Sequence, residues 1–296
     1  MQKTLTTADV PPRFLKAAYL VGHVPLMALQ SDPRVSYALY IPPDHYSTAE
    51  RKLPLLTSVH GTRRGLSSLY TDLAAFADSA PCAILAPVFP AGLEGANDLD
   101  SYKVLKSSTL RSDLALLAML GEVTHRWPGL RTDKVFMMGY SGGGQFAQRF
   151  AFLHPGRLAA ASIGAPGSVT LLDAHQSWPR GIADVESIFA RRVDAELIKQ
   201  VPIQLVIGSE DTKVHGGEAF GKWLKQVKRA LAIDNESSSS SMPATTSNGR
   251  VQILRELQEN LQENDIECRF DVIPHVAHSA KGAQACMLQF IHLRMQ

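Results

Sequence analysis

Neither sign of charge predominates in this chain, which carries 30 Lys and Arg residues against 28 Asp and Glu residues among 296. A chain so close to neutral gives no electrostatic reason to bind nucleic acid or an anionic membrane, and we expect neither partner. It also lacks the bias of disordered or membrane-spanning chains, because 45% of its residues are hydrophobic and 20% are charged. We therefore expect a single folded domain over residues 1–296, a length that one large domain can reach.

Cysteine is scarce, and the three cysteines are Cys82, Cys268 and Cys286. Three cysteines cannot all pair, and their spacing lacks the short CxxC patterns of zinc sites. We expect free or buried thiols in a reducing compartment, which favours a cytoplasmic location. The apolar N-terminal stretch AAYLVGHVPLMAL makes a poor signal peptide, because it starts too far in and glycine and proline interrupt it.

Short apolar runs, each followed by a turn and an amphipathic stretch, recur from Val35 to the C-terminus. This alternation predicts the α/β class, with a mostly parallel sheet flanked by helices. Continuous apolar runs predict strands buried on both faces, since helices cover both faces of a parallel sheet. Leu110, Leu114, Leu117 and Ala118 have helical spacing and predict the inner face of one covering helix. The runs interpreted as strands are VSYALYI, LPLLTSVHG, CAILAPVF, KVFMMGY, LAAASIG, IQLVIG and CRFDVI.

Two stretches interrupt the alternation. Residues 168–200 contain Trp178 and Phe189 where the chain should return to the sheet, which predicts a small cap or lid inserted after the sixth strand. Residues 234–249 read DNESSSSSMPATTSNG and have little to bury, so they predict a flexible surface loop.

One serine stands among four glycines in the stretch MMGYSGGGQ, residues 137–145. Ser141 is the centre of a G-x-S-x-G motif that follows the apolar run KVFMM and precedes a predicted helix. In this context a sharp turn lifts the hydroxyl off the strand end, and glycine at positions 139 and 143 removes clashes that a Cβ would make. A phosphate-binding loop would need a lysine after the glycines, which this stretch lacks. The motif predicts that Ser141 is a nucleophile.

A serine nucleophile needs a base to take its proton and a carboxylate to orient the base, and after this motif they follow in the order acid, then histidine. The run IQLVIG leads into Glu210 and Asp211; we predict Asp211 as the acid, with Glu210 as the alternative. The run CRFDVI leads into His275 and His278; we predict His278, nearer the final helix, with His275 as the alternative. A capping or structural role for these residues remains open.

Attack on a carbonyl creates an oxyanion, which fixed N–H donors stabilise. Gly142, directly after the serine, is the first predicted donor, and Thr62, in the loop after the third strand, is the second. His60 begins the same loop and is predicted to brace it rather than act as a base. Arg63 and Arg64 are predicted to be solvated surface residues, with steering of an acidic substrate or carrier as the alternative.

Four blocks carry a resemblance to a known superfamily: HGT at 60–62, GYSGG at 139–143, GSED at 208–211 and HVAH at 275–278. With them, the chain resembles the α/β-hydrolase superfamily from about Val35 onward. More narrowly, the stretch GYSGGGQFAQRFAFLHPGRLAAASIGAPG is similar to hydrolases encoded beside fungal polyketide or hybrid polyketide-peptide synthases. That resemblance implies action on polyketide thioesters, esters or lactones, with a small acyl substrate that a carrier protein can hold. Some relatives on this fold are implied to catalyse condensation or cyclisation instead.

Three hypotheses for the function follow. The first is a serine hydrolase, in which His278, oriented by Asp211, deprotonates Ser141 for attack on an ester, lactone or thioester; no metal or organic cofactor is implied. The second keeps this site but has His278 remove a proton next to a carbonyl, for an intramolecular condensation or cyclisation. The third is a non-catalytic ligand-binding protein on the same fold. Neither the substrate nor the oligomeric state follows from the sequence.

Overall fold

Eight strands form one sheet within the described part of the chain, which comprises residues 4–48, 50–212, 223, 226 and 249–296 of a computed structural model. Of the predicted loop 234–249, all but the last residue lies outside these ranges. The strands are β1 (Gly22–Leu29), β2 (Asp32–Ile41), β3 (Leu53–Val59), β4 (Ala83–Val88), β5 (Leu130–Tyr140), β6 (Leu158–Gly164), β7 (Ile203–Gly208) and β8 (Cys268–Ile273).

The strands run in the order β1-β2-β4-β3-β5-β6-β7-β8. β2 is antiparallel to β1 and to β4, and every pair from β4 to β8 is parallel. The predicted mostly parallel sheet is therefore confirmed. Two details differ from the sequence analysis. β1 comes from the N-terminal apolar stretch, which was not interpreted as a strand, and β8 is a partly exposed strand rather than one buried on both faces.

Helices flank the sheet, and pairs of them contact each other. The rings of Phe76 in α2 and His292 in α8 lie 6.2 Å apart, and the side chains of Asp113 in α3 and His154 after α4 are hydrogen-bonded. Among the described residues, no helix is long and apolar enough to cross a membrane. The α-helices are α1 (Pro43–Thr48), α2 (Asp72–Ser79), α3 (Ser112–Arg126), α4 (Gly142–Leu153), α5 (Val185–Phe189), α6 (Ala195–Lys199), α7 (Arg250–Glu263) and α8 (Ala280–Met295), and 3-10 turns occupy Pro12–Phe14, Ser67–Tyr70, Ser101–Val104 and Pro155–Arg157.

Residues 168–200 follow β6, the sixth strand, and contain α5 and α6. Polar contacts attach this segment to the body of the protein. The indole Nε1 of Trp178 donates to the Val104 carbonyl at 2.8 Å, and Lys106 Nζ donates to the Ile188 carbonyl at 2.7 Å. That this segment is an inserted cap or lid stays a prediction.

Strand register brings the ends of several strands together at one edge of the sheet. Val59, the last residue of β3, pairs with Gly139 near the end of β5, and Gly208 at the end of β7 pairs with Ile273 at the end of β8. Since these strands are parallel, the loops that follow them open on the same edge, where α/β proteins place their ligand sites.

Candidate active site

Ser141 occupies the turn between β5 and α4, with φ 58° and ψ −116°. A positive φ costs about 1–3 kcal/mol in a residue with a side chain, so the surroundings must hold this turn. One such contact is the Ser141 N–H, which donates to the Gly164 carbonyl at 2.8 Å. Within the described chain, the serine side chain makes no capping hydrogen bond to α4. The predicted sharp turn is present, at a helix N-terminus whose N–H groups favour negative charge.

Close backbone packing accounts for the glycines on either side of the serine. A Cβ added to Gly139 would lie 2.2 Å from the Gly143 carbonyl oxygen, and one added to Gly143 would lie 2.1 Å from the Val59 carbonyl oxygen. Backbone atoms cannot yield that much space, so a side chain at either position would displace the turn. The prediction that both positions need glycine is confirmed.

Asp211 and His278 are in contact beside this turn. The Asp211 carboxylate is 1% exposed, and its Oδ2 accepts a hydrogen bond of 2.6 Å from His278 Nδ1. Because an ionised carboxylate only accepts, the ring proton is on Nδ1 and Nε2 is left as the basic nitrogen. The His278 ring also lies 5.2 Å from the ring of Tyr140, the residue before Ser141. The imidazole is therefore next to the serine turn.

The alternative acid and base form a separate pair. His275 Nδ1 lies 3.6 Å from Glu210 Oε1, and the two side chains are 92% and 59% exposed. The structure thus combines the four candidates as one pair with a buried carboxylate, Asp211 with His278, and one solvated pair, Glu210 with His275. Of the two carboxylates, only that of Asp211 is shielded from water, which makes it effective at orienting an imidazole. The assignment of catalytic roles stays a prediction.

Arg250, the first residue of α7, is a partner of Asp211 that sequence reasoning missed. Its Nη1 donates to Asp211 Oδ1 at 2.9 Å, so each oxygen of the carboxylate has a charged or ring N–H partner. The backbone before α7 also packs closely against the residue after Asp211, since a Cβ added to Gly249 would lie 2.8 Å from the Thr212 carbonyl oxygen. The start of α7 therefore packs directly against the predicted acid. Nothing in the sequence near Arg250 signals this contact.

The two predicted oxyanion donors lie close together. A Cβ added to Gly142 would be 3.1 Å from the Thr62 backbone nitrogen, and one added to Gly61 would be 3.9 Å from the Ser141 Cβ. The loop after β3 therefore passes directly beside the serine turn, in the arrangement expected of a two-donor oxyanion site. Their role in catalysis stays a prediction.

His60 braces the loop that carries Thr62, as predicted. Its Nε2 accepts the Phe89 N–H at 3.0 Å, so its Nδ1 carries the ring proton and donates to the Gly61 carbonyl at 2.9 Å. Burial, aided by the Arg64 and Lys103 charges, lowers the pKa of His60 to about 4, although the bond to Gly61 opposes the shift. His60 is therefore neutral near pH 7.

Arg64 corrects one expectation, because it is not a solvated surface residue. Its three guanidinium nitrogens donate to the backbone carbonyls of Thr62, Phe89 and Leu99. The guanidinium also lies 5.0 Å above the Tyr102 ring. Arg64 thus ties the Thr62 loop to the chain after β4 and helps to shape the site. Arg63 is exposed, as expected.

Tyr102 and Lys103 also line the predicted oxyanion site, and no sequence motif singles them out. A Cβ added to Gly142 would lie 2.5 Å from the Tyr102 hydroxyl oxygen and 2.8 Å from Lys103 Cε. The Tyr102 hydroxyl donates to the His60 carbonyl at 3.1 Å, and both side chains are buried. Glycine at 142 therefore leaves room for these two residues. Over the described ranges, no three His, Cys, Asp or Glu side chains converge as metal ligands.

No family model and no curated protein matches the sequence. Solved structures do match. A poly(3-hydroxybutyrate) depolymerase, LpqC from Bordetella parapertussis, gives a TM-score of 0.68 at 17% identity over 98% of this chain and 96% of that one. Poly(aspartic acid) hydrolase-1 from Sphingomonas sp. KT-1 gives 0.64 at 19% identity over 87% and 93% of the two chains. An S-formylglutathione hydrolase from Agrobacterium tumefaciens gives 0.57 at 13% identity over 93% and 99%.

At these identities, the likeness concerns the fold. The matching structures include esterases and other hydrolases, one of them a fluorophosphonate-binding serine hydrolase from Staphylococcus aureus. The architecture found here is an eight-stranded, mostly parallel sheet flanked by helices. This chain has the α/β-hydrolase fold.

Proposed function

We propose that this protein is a serine hydrolase that cleaves an ester, lactone or thioester through an acyl-enzyme. The observation that supports it best is the 2.6 Å hydrogen bond between the buried Asp211 carboxylate and His278 Nδ1, beside a serine in a strained turn. In the first step the Ser141 oxygen attacks the carbonyl carbon while His278 Nε2 takes the hydroxyl proton.

The tetrahedral intermediate carries its negative charge on the former carbonyl oxygen, and the N–H groups of Thr62 and Gly142 stabilise it there. Collapse of the intermediate breaks the bond to the alcohol or thiol, and the imidazolium of His278 protonates this leaving group. His278 then takes a proton from water, whose oxygen attacks the acyl-enzyme. A second collapse releases the carboxylic acid and returns the proton to Ser141.

The finer function that we propose is hydrolysis of a polyketide-derived acyl substrate in fungal secondary metabolism. The substrate is a small molecule, free or held as a thioester on a carrier protein, and neither nucleic acid nor a membrane is a partner. The three cysteines are free thiols, which supports a reducing, cytoplasmic compartment. The stretch of residues 139–167 supports this assignment through its similarity to hydrolases of such pathways.

Replacement of the serine tests this function. We expect Ser141→Ala to lower kcat/KM for 4-nitrophenyl butyrate by about four orders of magnitude or more, because no other group supplies the nucleophile. A fluorophosphonate probe should add its mass to the wild-type protein and not to this variant. The matched control is Ser79→Ala on the exposed side of α2, which should keep both the ester hydrolysis and the labelling by the probe. Full activity in Ser141→Ala would remove Ser141 from the mechanism. Product mass separates hydrolysis, which adds water, from condensation, which removes it.

A further inference from the structure

Lys103 lies beside the predicted oxyanion donors and occupies space that a side chain at position 142 would need. A Cβ added to Gly142 would be 2.8 Å from Lys103 Cε, and the ammonium nitrogen is one C–N bond further along, about 1.5 Å. The side chain is only 7% exposed. A charge in such a position acts through little water, so its field at the neighbouring site is strong.

Two further cations surround Lys103, and the charges around it do not balance. Arg64 donates to three backbone carbonyls, and the fully buried Arg149 donates to a carbonyl, an amide oxygen and two hydroxyls. Among the described residues, Asp100 is the one carboxylate that contacts any of the three cations, through Lys103 Nζ. Asp98, on the same loop, accepts from backbone N–H groups and the Ser101 hydroxyl. The site therefore has a local excess of positive charge.

This arrangement is costly without an anion. Burial lowers the pKa of the Lys103 ammonium, with the Asp100 carboxylate opposing the shift and Arg64 and Arg149 adding to it. Burial also lowers the pKa of Arg149 to about 10. Unpaired buried charge is unfavourable unless something compensates it, and an anionic ligand would do so. An ammonium has three N–H donors, so Lys103 can bind a second anion while it keeps its contact with Asp100.

We propose that Lys103 forms a subsite for a carboxylate carried by the substrate that Ser141 attacks. This inference rests on the proposed function and narrows its substrate to esters whose acid or alcohol part bears a negative charge near the scissile carbonyl. Monoesters of short dicarboxylic acids are an example. Arg64 and Arg149 act through their charge, since every guanidinium nitrogen of both residues already donates to an acceptor in the protein.

Matched ester pairs test the subsite. The acyl-side pair is 4-nitrophenyl hydrogen glutarate and 4-nitrophenyl pentanoate, which have equally long acyl chains. The alcohol-side pair is 4-carboxyphenyl butyrate and its methyl ester. With spontaneous hydrolysis subtracted, we expect the wild type to favour the anionic member of one pair by about tenfold or more in kcat/KM, the gain of one hydrogen bond to a charged group. The pair that shows the preference tells whether the carboxylate belongs to the acid or to the alcohol.

Variants connect the preference to Lys103. Lys103→Met should abolish it, mainly by raising KM for the anionic ester, and Lys103→Arg should retain most of it. Lys134→Met, at an exposed position of β5, is the control and should keep the preference. Equal kcat/KM values for anionic and neutral esters in the wild type would overturn the subsite and leave the serine hydrolase standing, even if Lys103→Met does not fold. An enzyme that hydrolyses none of the four esters and resists the fluorophosphonate probe would overturn the proposed function itself.

Discussion

Each oxygen of the Asp211 carboxylate has its own partner, and the two partners have different consequences. His278 on Oδ2 gains orientation and a nearby negative charge. Arg250 on Oδ1 competes for that charge but prevents the carboxylate from rotating. Asp211 is 1% exposed, so a carboxylate oxygen without a partner would be buried and unsatisfied. The free-energy cost of that exceeds the loss of attraction to His278 that the Arg250 charge causes. At this residue, positioning outweighs charge competition.

Arg250→Met should therefore impair the enzyme and the fold together. We expect kcat to fall about tenfold to a hundredfold with little change in KM, because a misplaced Asp211 misplaces His278. The free energy of unfolding should fall by about 3 kcal/mol, the cost of a broken buried pair. Steady-state kinetics and urea denaturation measure the two effects. Arg250→Lys should recover part of kcat, and Arg255→Met, on an exposed position of the same helix, serves as the control. Unchanged kcat in Arg250→Met would show that Arg250 does not position Asp211.

The two carboxylate–imidazole pairs give a matched comparison. Asp211→Asn should lower kcat/KM by about four orders of magnitude, since an amide favours the wrong ring tautomer of His278. Glu210→Gln should change it less than about threefold, because exposed ion pairs have little effect. Likewise, His278→Gln should lower kcat/KM far more than His275→Gln. Ester hydrolysis by the four purified variants is the measurement, and greater loss from Glu210→Gln would exchange the assignments.

The place of a residue in the fold could be predicted where the backbone path decides it, while the catalytic roles stay predictions. Ser141, Asp211 and His278 each follow the end of a strand, and parallel strands bring those ends to one edge. Arg250 and Lys103 could not be found in this way. Their contacts depend on how α7 and the turn Ser101–Val104 dock against the sheet, and such docking has no local sequence pattern.

Among the helices and strands, the predicted and the observed buried faces differ most for α3. The predicted inner face included Leu114, which is 43% exposed. The buried positions are instead Ser112, Asp113, Ala115, Leu116, Met119, Leu120 and Val123. Apolar residues lie on more than one side of this helix, so several stripes fit the sequence, and an error of one position turns the predicted face by about 100°. β1 was missed for a related reason, since glycine and proline interrupt its apolar run.

A buried ionic contact fixes α3 against the end of α4. Asp113, in the first turn of α3, accepts two hydrogen bonds of 2.8 Å from Arg111 and one of 2.9 Å from His154 Nε2. His154 directly follows the last residue of α4, and its side chain binds this carboxylate. Burial acts to raise the pKa of Asp113, and the bonds and charges of Arg111 and His154 outweigh it and lower the pKa to about 2.

Loss of this carboxylate should loosen the packing of the two helices. We expect Asp113→Asn to lower the free energy of unfolding by about 3 kcal/mol, because the buried His154 and the partly buried Arg111 lose their anion. Asp72→Asn is the matched control, as Asp72 also lies in the first turn of a helix but is exposed. The lowered pKa means that the contribution is complete above pH 3.8 and is lost as the pH falls toward 2. Equal urea midpoints for the two variants would contradict a structural role for the contact.

For the molecule as a whole, His60 makes stability depend on pH in a separate range. A pKa lowered from 6.5 to about 4 means that the unfolded chain binds a proton between these values while the folded chain does not. Stability should therefore be complete above pH 6.5 and fall by up to about 3 kcal/mol as the pH drops to 4. Urea midpoints across this range measure the slope. His60→Gln should flatten it, whereas His275→Gln, which replaces an exposed histidine, should not. An unchanged slope in His60→Gln would mean that His60 takes up its proton in the folded protein, and the brace of the Thr62 loop would then be ionised.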